Sequence, residues 1–182
     1  MDTWGEDGPP TEAYGRVTNA ERFRPLHEFA DDLLADHERR FAVRRTESTE
    51  TDPHGTDPAR AVTLTPDDPS AASVTVVFDA FPGLRVLVAG GSDGHLPVCG
   101  CDACEESFER CADELRWWLT AITAGAVTER LIYDDGWWYE TSRSMDGRSS
   151  RSRGRVDGDR LESLRTRLPN GELTWAPWPP RV

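Results

Sequence analysis

Three cysteines within six residues are the part of this sequence best suited to chemistry. Cys99, Cys101 and Cys104 stand in the run Cys-Gly-Cys-Asp-Ala-Cys. Thiolates are soft ligands, and Zn²⁺ commonly takes four ligands in a tetrahedron, with sulfur at about 2.3 Å. The spacing therefore predicts a zinc site with three sulfur ligands, and such a site needs a fourth ligand.

The predicted fourth ligand is His95, which stands four residues before Cys99. Asp102 or a water molecule remains an alternative, and folding could also bring up one of three other histidines. These are His27, His37 and His54. Cys111 is predicted to lie in the core, because it falls on an apolar helical stripe and seven helical residues would place it about 10.5 Å from Cys104. It could join the site only if the helix begins later than its cap suggests.

Other uses of the thiols stay open. Asp102 and Glu105 have the spacing of a capping box, which predicts a helix starting at Ala103 with Cys104 in its first turn. A thiolate is stabilised at that position, so Cys104 could be a redox-reactive thiol that Cys99 or Cys101 resolves. Alternatively, the cysteines are reduced thiols that only tighten a loop. No other catalytic motif is visible.

The elements around this cluster predict an α+β fold. Thr18 and Glu21 have capping-box spacing ahead of an apolar stripe from Phe23 to Phe41, which predicts the first helix. A second helix follows the cysteines, and a short third one is capped by Asp159. Alternating β-branched segments predict an antiparallel sheet of about six strands with these helices packed on it. The strands are expected at 41–47, 61–65, 73–80, 84–89, 127–133 and 137–142.

The chain is predicted to be one domain over residues 14–182, preceded by a mobile polar tail at 1–13. Residues 142–159 are rich in Arg and Ser and lack periodicity, which predicts a flexible loop. This loop resembles an RNA-binding arm. However, every basic residue of the chain is arginine, and Asp146, Asp157 and Asp159 dilute the charge, so nucleic acid is not the expected partner.

The overall charge of the chain also indicates which kinds of partner it could bind. The net charge of -12 disfavours nonspecific binding to nucleic acid or anionic membranes. The predicted partner is another protein, neutral or basic. The first thirty residues lack the apolar core of a signal peptide, which predicts a cytoplasmic protein with reduced cysteines. Adjacent tryptophans such as Trp117 and Trp118 predict an aromatic patch that the Pro-rich C-terminal tail covers.

The sequence also resembles an uncharacterised actinobacterial family, a domain of unknown function. The matching segments are Tyr14-Gly15-Arg16-Val17-Thr18-Asn19, Phe81-Pro82-Gly83-Leu84, the cysteine run with Pro97 before it, and Trp175-Ala176-Pro177-Trp178-Pro179. The resemblance implies a cytoplasmic single-domain protein with the cysteine run as a hallmark, and it transfers no activity.

The leading functional hypothesis is a non-enzymatic binding or protein-interaction domain with a structural zinc site at Cys99, Cys101, Cys104 and His95. The alternative is a thiol-based redox sensor or small thiol enzyme that uses Cys104. A second alternative is an immunity-like or chaperone-like partner of another protein.

Overall fold

The structure is a computed structural model that describes residues 8–51, 58–89 and 91–182. Within these ranges the helices are α1 (Pro25–Arg40), α2 (Phe108–Thr123) and α3 (Gly158–Arg167). The strands are β1 (Val43–Thr51), β2 (Pro58–Pro66), β3 (Val74–Phe78), β4 (Leu84–Val88), β5 (Gly91–Leu96), β6 (Val127–Tyr133), β7 (Trp137–Met145), β8 (Arg148–Arg155) and β9 (Glu172–Thr174).

The α+β class is confirmed, but the single sheet of about six strands is wrong. The strands form two antiparallel sheets, one of five strands in the order β1-β2-β3-β4-β5 and one of four in the order β8-β7-β6-β9. The cysteine loop and α2 separate β5 from β6 in the chain, and these two strands belong to different sheets. Alternation in sequence indicates strands, but it does not say which strands pair.

The predicted Arg/Ser-rich loop at 142–159 is also wrong. Nearly all of β7 pairs in register with β8, from Trp138 opposite Arg155 to Met145 opposite Arg148. The guanidinium groups of Arg153 and Arg155 lie 4.5 and 5.1 Å from the centre of the Trp138 ring. A sheet-edge strand with polar residues on both faces carries no apolar alternation, which is why the sequence pattern missed it.

The main core lies between one face of the five-stranded sheet and helices α1 and α2. Leu26 and Leu34 of α1 and Leu115 and Ile122 of α2 are fully buried there. A second core joins the four-stranded sheet to α3. Its buried members are Tyr139, Val156, Leu164 and Leu168.

A buried ion pair connects these parts. Glu129 of β6 is fully buried, and its carboxylate lies 3.0 Å from the Arg167 guanidinium of α3. Burial raises the pKa of Glu129, and the positive charge of Arg167 opposes that rise. Arg167 also donates hydrogen bonds to the Ala89 carbonyl and the Tyr139 hydroxyl. One arginine thus joins α3 to both sheets.

The two ends of the chain pack against the elements near them. Trp178 in the C-terminal tail is 3% exposed and donates a hydrogen bond of 2.8 Å from its indole nitrogen to the Ala72 carbonyl. At the other end, residues 1–7 of the predicted mobile tail lie outside the described residues. The remainder of that tail includes a 3-10 turn, Thr11–Ala13, in which Ala13 is buried.

Candidate metal centre

The cysteine run forms the loop between β5 and α2. The sulfur atoms of Cys99, Cys101 and Cys104 all lie within 4.8 Å of one another. Cys101 is 2% exposed, whereas Cys99 and Cys104 are exposed. The sulfur atoms of Cys101 and Cys104 are 3.4 Å apart, and all of these cysteines are free. The cluster is therefore positioned to bind a metal ion.

The helix after this loop starts later than the capping-box spacing predicted. Asp102–Cys104 form a 3-10 turn, and Glu105 then takes a left-handed conformation with φ 48° that ends it. Helix α2 begins at Phe108, and the hydroxyl of Ser107 accepts a hydrogen bond from the Arg110 N–H. Cys104 therefore lies before the helix rather than in its first turn.

Glu106 organises the loop from inside. Its carboxylate accepts hydrogen bonds from the backbone N–H groups of Val98, Cys99 and Gly100 at 2.8, 2.9 and 3.0 Å. Burial would raise the pKa of Glu106, but these three donors hold it below its usual range. The carboxylate thus satisfies three consecutive donors that no strand or helix uses.

Gly100 is required by the tightness of this loop. Its φ is 70°, a left-handed value that favours glycine. A Cβ atom there would lie 3.0 Å from the Pro97 ring and 3.1 Å from the Phe81 ring. The glycine between Cys99 and Cys101 therefore lets the backbone curl so that the sulfur atoms converge.

A second segment holds the loop from outside. We call residues 14–22 the N-terminal strap. The backbone N–H of Asp102 donates to the Arg16 carbonyl at 2.8 Å. The Asp102 carboxylate accepts hydrogen bonds from the Thr18 N–H, the Thr18 hydroxyl and the Arg16 guanidinium at 3.0 to 3.1 Å. Arg22 completes the contact by donating to the carbonyls of Gly100 and Glu106.

The strap also reaches a sulfur atom. The backbone N–H of Gly15 donates a hydrogen bond to Cys101, as does the N–H of Cys104. Hydrogen bonds from Cys99, Gly15 and Cys104 lower the pKa of Cys101 to about 6. The pKa of Cys104, by contrast, is raised to about 12 by its hydrogen bond with Cys101 and by the nearby Cys99. The acidic thiol is thus the buried Cys101, whereas the sequence pointed to Cys104.

His95 does not join the sulfur cluster. It lies on β5 opposite Arg85 and is exposed, and among the described residues the cluster of ligand atoms consists of the three sulfurs. The sequence placed His95 close to the cysteines, but a strand puts alternate residues on opposite faces. Its neighbour Leu96 enters the core, so His95 lies on the other face of the sheet.

The other suggested ligands have different roles. Cys111 is a buried core residue of α2, as predicted, and burial raises its pKa to about 11. His27 donates to the Gly83 carbonyl and His37 to the Leu33 carbonyl. Asp102 holds the strap. His54 lies outside the described residues.

Exposed apolar side chains lie on the segments that form or contact the cysteine loop. The described residues include six large hydrophobic side chains with high exposure, and four of them lie on the cysteine loop or beside it. We call these four the apolar rim, comprising Tyr14 (60% exposed), Val17 (40%), Phe81 (41%) and Val98 (77%). Tyr14 precedes the Gly15 N–H that contacts Cys101, and Val98 precedes Cys99. The sequence motifs included Tyr14, Val17 and Phe81 but did not indicate that their segments lie beside the cysteine loop.

Sequence reasoning also missed the residues that build the loop. Glu106 belongs to the acidic pair Glu105-Glu106, which is typical of an exposed helix surface, and the spacing of Thr18 predicted a helix cap. Neither Thr18 nor Asn19 caps a helix by its side chain, because a 3-10 turn (Ala20–Phe23) precedes α1 and the Thr18 hydroxyl bonds Asp102. The only signal was the resemblance itself, in which the strap and the cysteine run occur together.

In the described part of the chain, no helix combines the length and the apolar character needed to span a bilayer.

Comparison with known proteins places the whole chain in a family without assigning an activity. No curated protein and no solved structure matches the sequence. A family model matches residues 1–182. The chain therefore belongs to DUF6226, a family of unknown function.

Proposed function

We propose that this protein is a non-enzymatic zinc-binding interaction domain whose metal is held by Cys99, Cys101 and Cys104. The observation that carries the proposal is the convergence of three reduced sulfur atoms within 4.8 Å. Sulfur ligands favour zinc or another soft ion over magnesium or calcium, which prefer oxygen. A cytoplasmic location belongs to the proposal, because a reducing compartment keeps such thiols free.

The contacts of the loop support a structural role for the ion. Backbone N–H groups commonly stabilise charge on thiolate ligands, and Cys101 receives two of them, one from the strap and one from its own loop. A metal bound here would fix the loop and, through Gly15, the strap. The metal would contribute folding energy without performing a reaction.

The test is metal content per chain, measured by elemental analysis of protein purified under reducing conditions with zinc in the medium. We expect about one zinc per chain, lost in Cys99→Ser, Cys101→Ser and Cys104→Ser. The matched control is Cys111→Ser, which changes the remaining cysteine and should keep the metal. Metal-free protein with four titratable thiols would refute the proposal.

A second candidate function follows from the distance of 3.4 Å between the sulfur atoms of Cys101 and Cys104. In this thiol-based sensor, a peroxide oxidant would convert one of these two thiols to a sulfenic acid, and the other would attack that sulfur and release water to form a disulfide. Mass spectrometry after peroxide treatment would find this disulfide, reversible by a reductant, in metal-free protein. Its absence at complete peroxide consumption would exclude the sensor.

A further inference from the structure

We propose that the fourth coordination position of this metal is filled from outside the chain, by the imidazole of a histidine carried on an apolar segment of a partner protein. This inference rests on the proposed function and adds the chemistry of the partner. Its premises are the geometry of the three sulfurs, the engagement of the neighbouring carboxylates, the charge of the centre and the apolar rim.

The cluster offers its open side to solvent. Cys101 is buried beneath the strap, whereas Cys99 and Cys104 are exposed. Among residues 8–51, 58–89 and 91–182, no fourth His, Cys, Asp or Glu belongs to the cluster of ligand atoms. Zinc prefers four ligands, so the remaining position faces outward.

The two carboxylates that hold the loop already have other partners. The Asp102 carboxylate accepts three hydrogen bonds from the strap, and the Glu106 carboxylate accepts three from the loop backbone. Moving either carboxylate to a metal would leave those donors without their acceptor, which opposes such a move. These residues therefore position the loop and do not serve as ligands.

The net charge of the metal centre favours a neutral fourth ligand. Three thiolates around one divalent ion leave a net charge of -1, and a fourth thiolate or a carboxylate would double it. Covering a doubly charged centre with apolar side chains carries a larger desolvation cost than covering a singly charged one. Imidazole is a neutral ligand that zinc accepts, so it completes the site without adding charge.

The apolar rim favours a histidine that belongs to an apolar segment of a partner protein. Tyr14, Val17, Phe81 and Val98 are exposed on the segments that form or contact the cysteine loop, in a chain whose net charge is -12. Burying such a surface is favourable only against apolar groups. A histidine flanked by apolar residues in a partner protein satisfies both the metal and the rim, whereas a free histidine satisfies the metal alone.

Cobalt substitution tests this directly, because tetrahedral Co²⁺ has visible absorption that depends on its ligands. The Co²⁺-loaded protein is titrated with three blocked probes: N-acetylhistidine methylamide, the tripeptide Leu-His-Phe and the tripeptide Asp-His-Asp. We expect each to shift the spectrum saturably while Co²⁺ stays bound in equilibrium dialysis. Leu-His-Phe should bind roughly tenfold more tightly than N-acetylhistidine methylamide, as expected for burying one apolar side chain. Asp-His-Asp should bind most weakly.

Rim variants separate the metal from the surface. Tyr14→Ser with Val98→Ser should remove most of the preference for Leu-His-Phe and leave the affinity for N-acetylhistidine methylamide within about twofold, because the apolar contact is lost and the metal is kept. Tyr133→Ser is the matched control, since Tyr133 is equally exposed but lies on the four-stranded sheet.

The failures are distinguishable. A chain that binds no Co²⁺ refutes the proposed function. A chain that binds Co²⁺ with a spectrum insensitive to all three probes has a closed site and overturns this inference alone. Equal affinity for Leu-His-Phe and N-acetylhistidine methylamide would refute a protein source for the imidazole.

Discussion

The two ends of this chain are fixed to the same core by different physics. The C-terminal tail is held mainly by burial, with Trp178 packed at right angles to the rings of His37 and Phe41. The N-terminal strap is held mainly by hydrogen bonds and charge, on a loop that also carries the sulfur cluster. Burial contributes the same energy whether a metal is bound or not, whereas the strap depends on the loop beneath it. The comparison indicates which end can respond to a ligand.

The largest expected effect is at the tail. Trp178→Ala removes a buried indole and leaves a cavity and an unpaired Ala72 carbonyl, which should lower the free energy of unfolding by about 3–5 kcal/mol. Urea denaturation measures this. The effect should be the same with and without added zinc, and a zinc-dependent loss would show that the two ends are coupled. Tyr133→Ala, at an exposed ring, should cost less than about 1 kcal/mol.

The strap should give an intermediate effect. Asp102→Ala leaves the Thr18 N–H and the Arg16 guanidinium without their acceptor, so the free energy of unfolding should fall, but by less than in Trp178→Ala because water can replace the acceptor at these exposed donors. Hydrogen exchange of the Gly15 and Thr18 amides should accelerate, whereas exchange of the Trp178 indole should not.

The matched control for the strap is Asp113→Ala, which breaks an exposed pair with Arg116 on α2. Such surface pairs contribute about 0–1 kcal/mol, so this variant should resemble the parent protein. If Asp102→Ala behaves in the same way, the strap is held by something other than its hydrogen bonds.

The smallest effect should be the pH dependence of the tail. Burial lowers the pKa of His37 below its usual value, with Arg40 acting in the same direction and the Leu33 carbonyl and Asp36 opposing it. As pH falls below about 6.5, the unfolded chain binds a proton at this histidine and the native protein does not. The native state therefore loses stability on acidification, by at most about 1.4 kcal/mol per pH unit, and stability is fully present above that pH.

Replacing His37 isolates this contribution. His37→Phe keeps an aromatic ring beside Phe41 and Trp178 and should flatten the pH dependence of unfolding between about pH 7 and 5.5. The exposed His95→Asn is the control and should retain the slope of the parent. An unchanged slope in His37→Phe would assign the acid sensitivity to other groups.

Local patterns determined most of the secondary structure. The three helices and six of the strands were predicted from local sequence patterns, and the strands predicted at 127–133 and 137–142 correspond to β6 and β7. The missed strands are those whose sequence lacks alternation: β5 contains two glycines, β8 is polar on both faces, and β9 has three residues. Their pairing comes from neighbouring strands, which a local pattern does not contain.

At the cysteine cluster, too, some features follow from the local sequence and others depend on the tertiary structure. The sequence by itself determined that three cysteines would be close, because six residues of chain cannot separate them far. Only the tertiary structure decided that Cys101 is the buried and acidic thiol, that His95 lies on the other face of its sheet, and that the segments of the strap and the apolar rim form or contact the cysteine loop. The strap contacts, for example, join Thr18 to Asp102, which is 84 residues further along the chain, and folding alone brings such segments together.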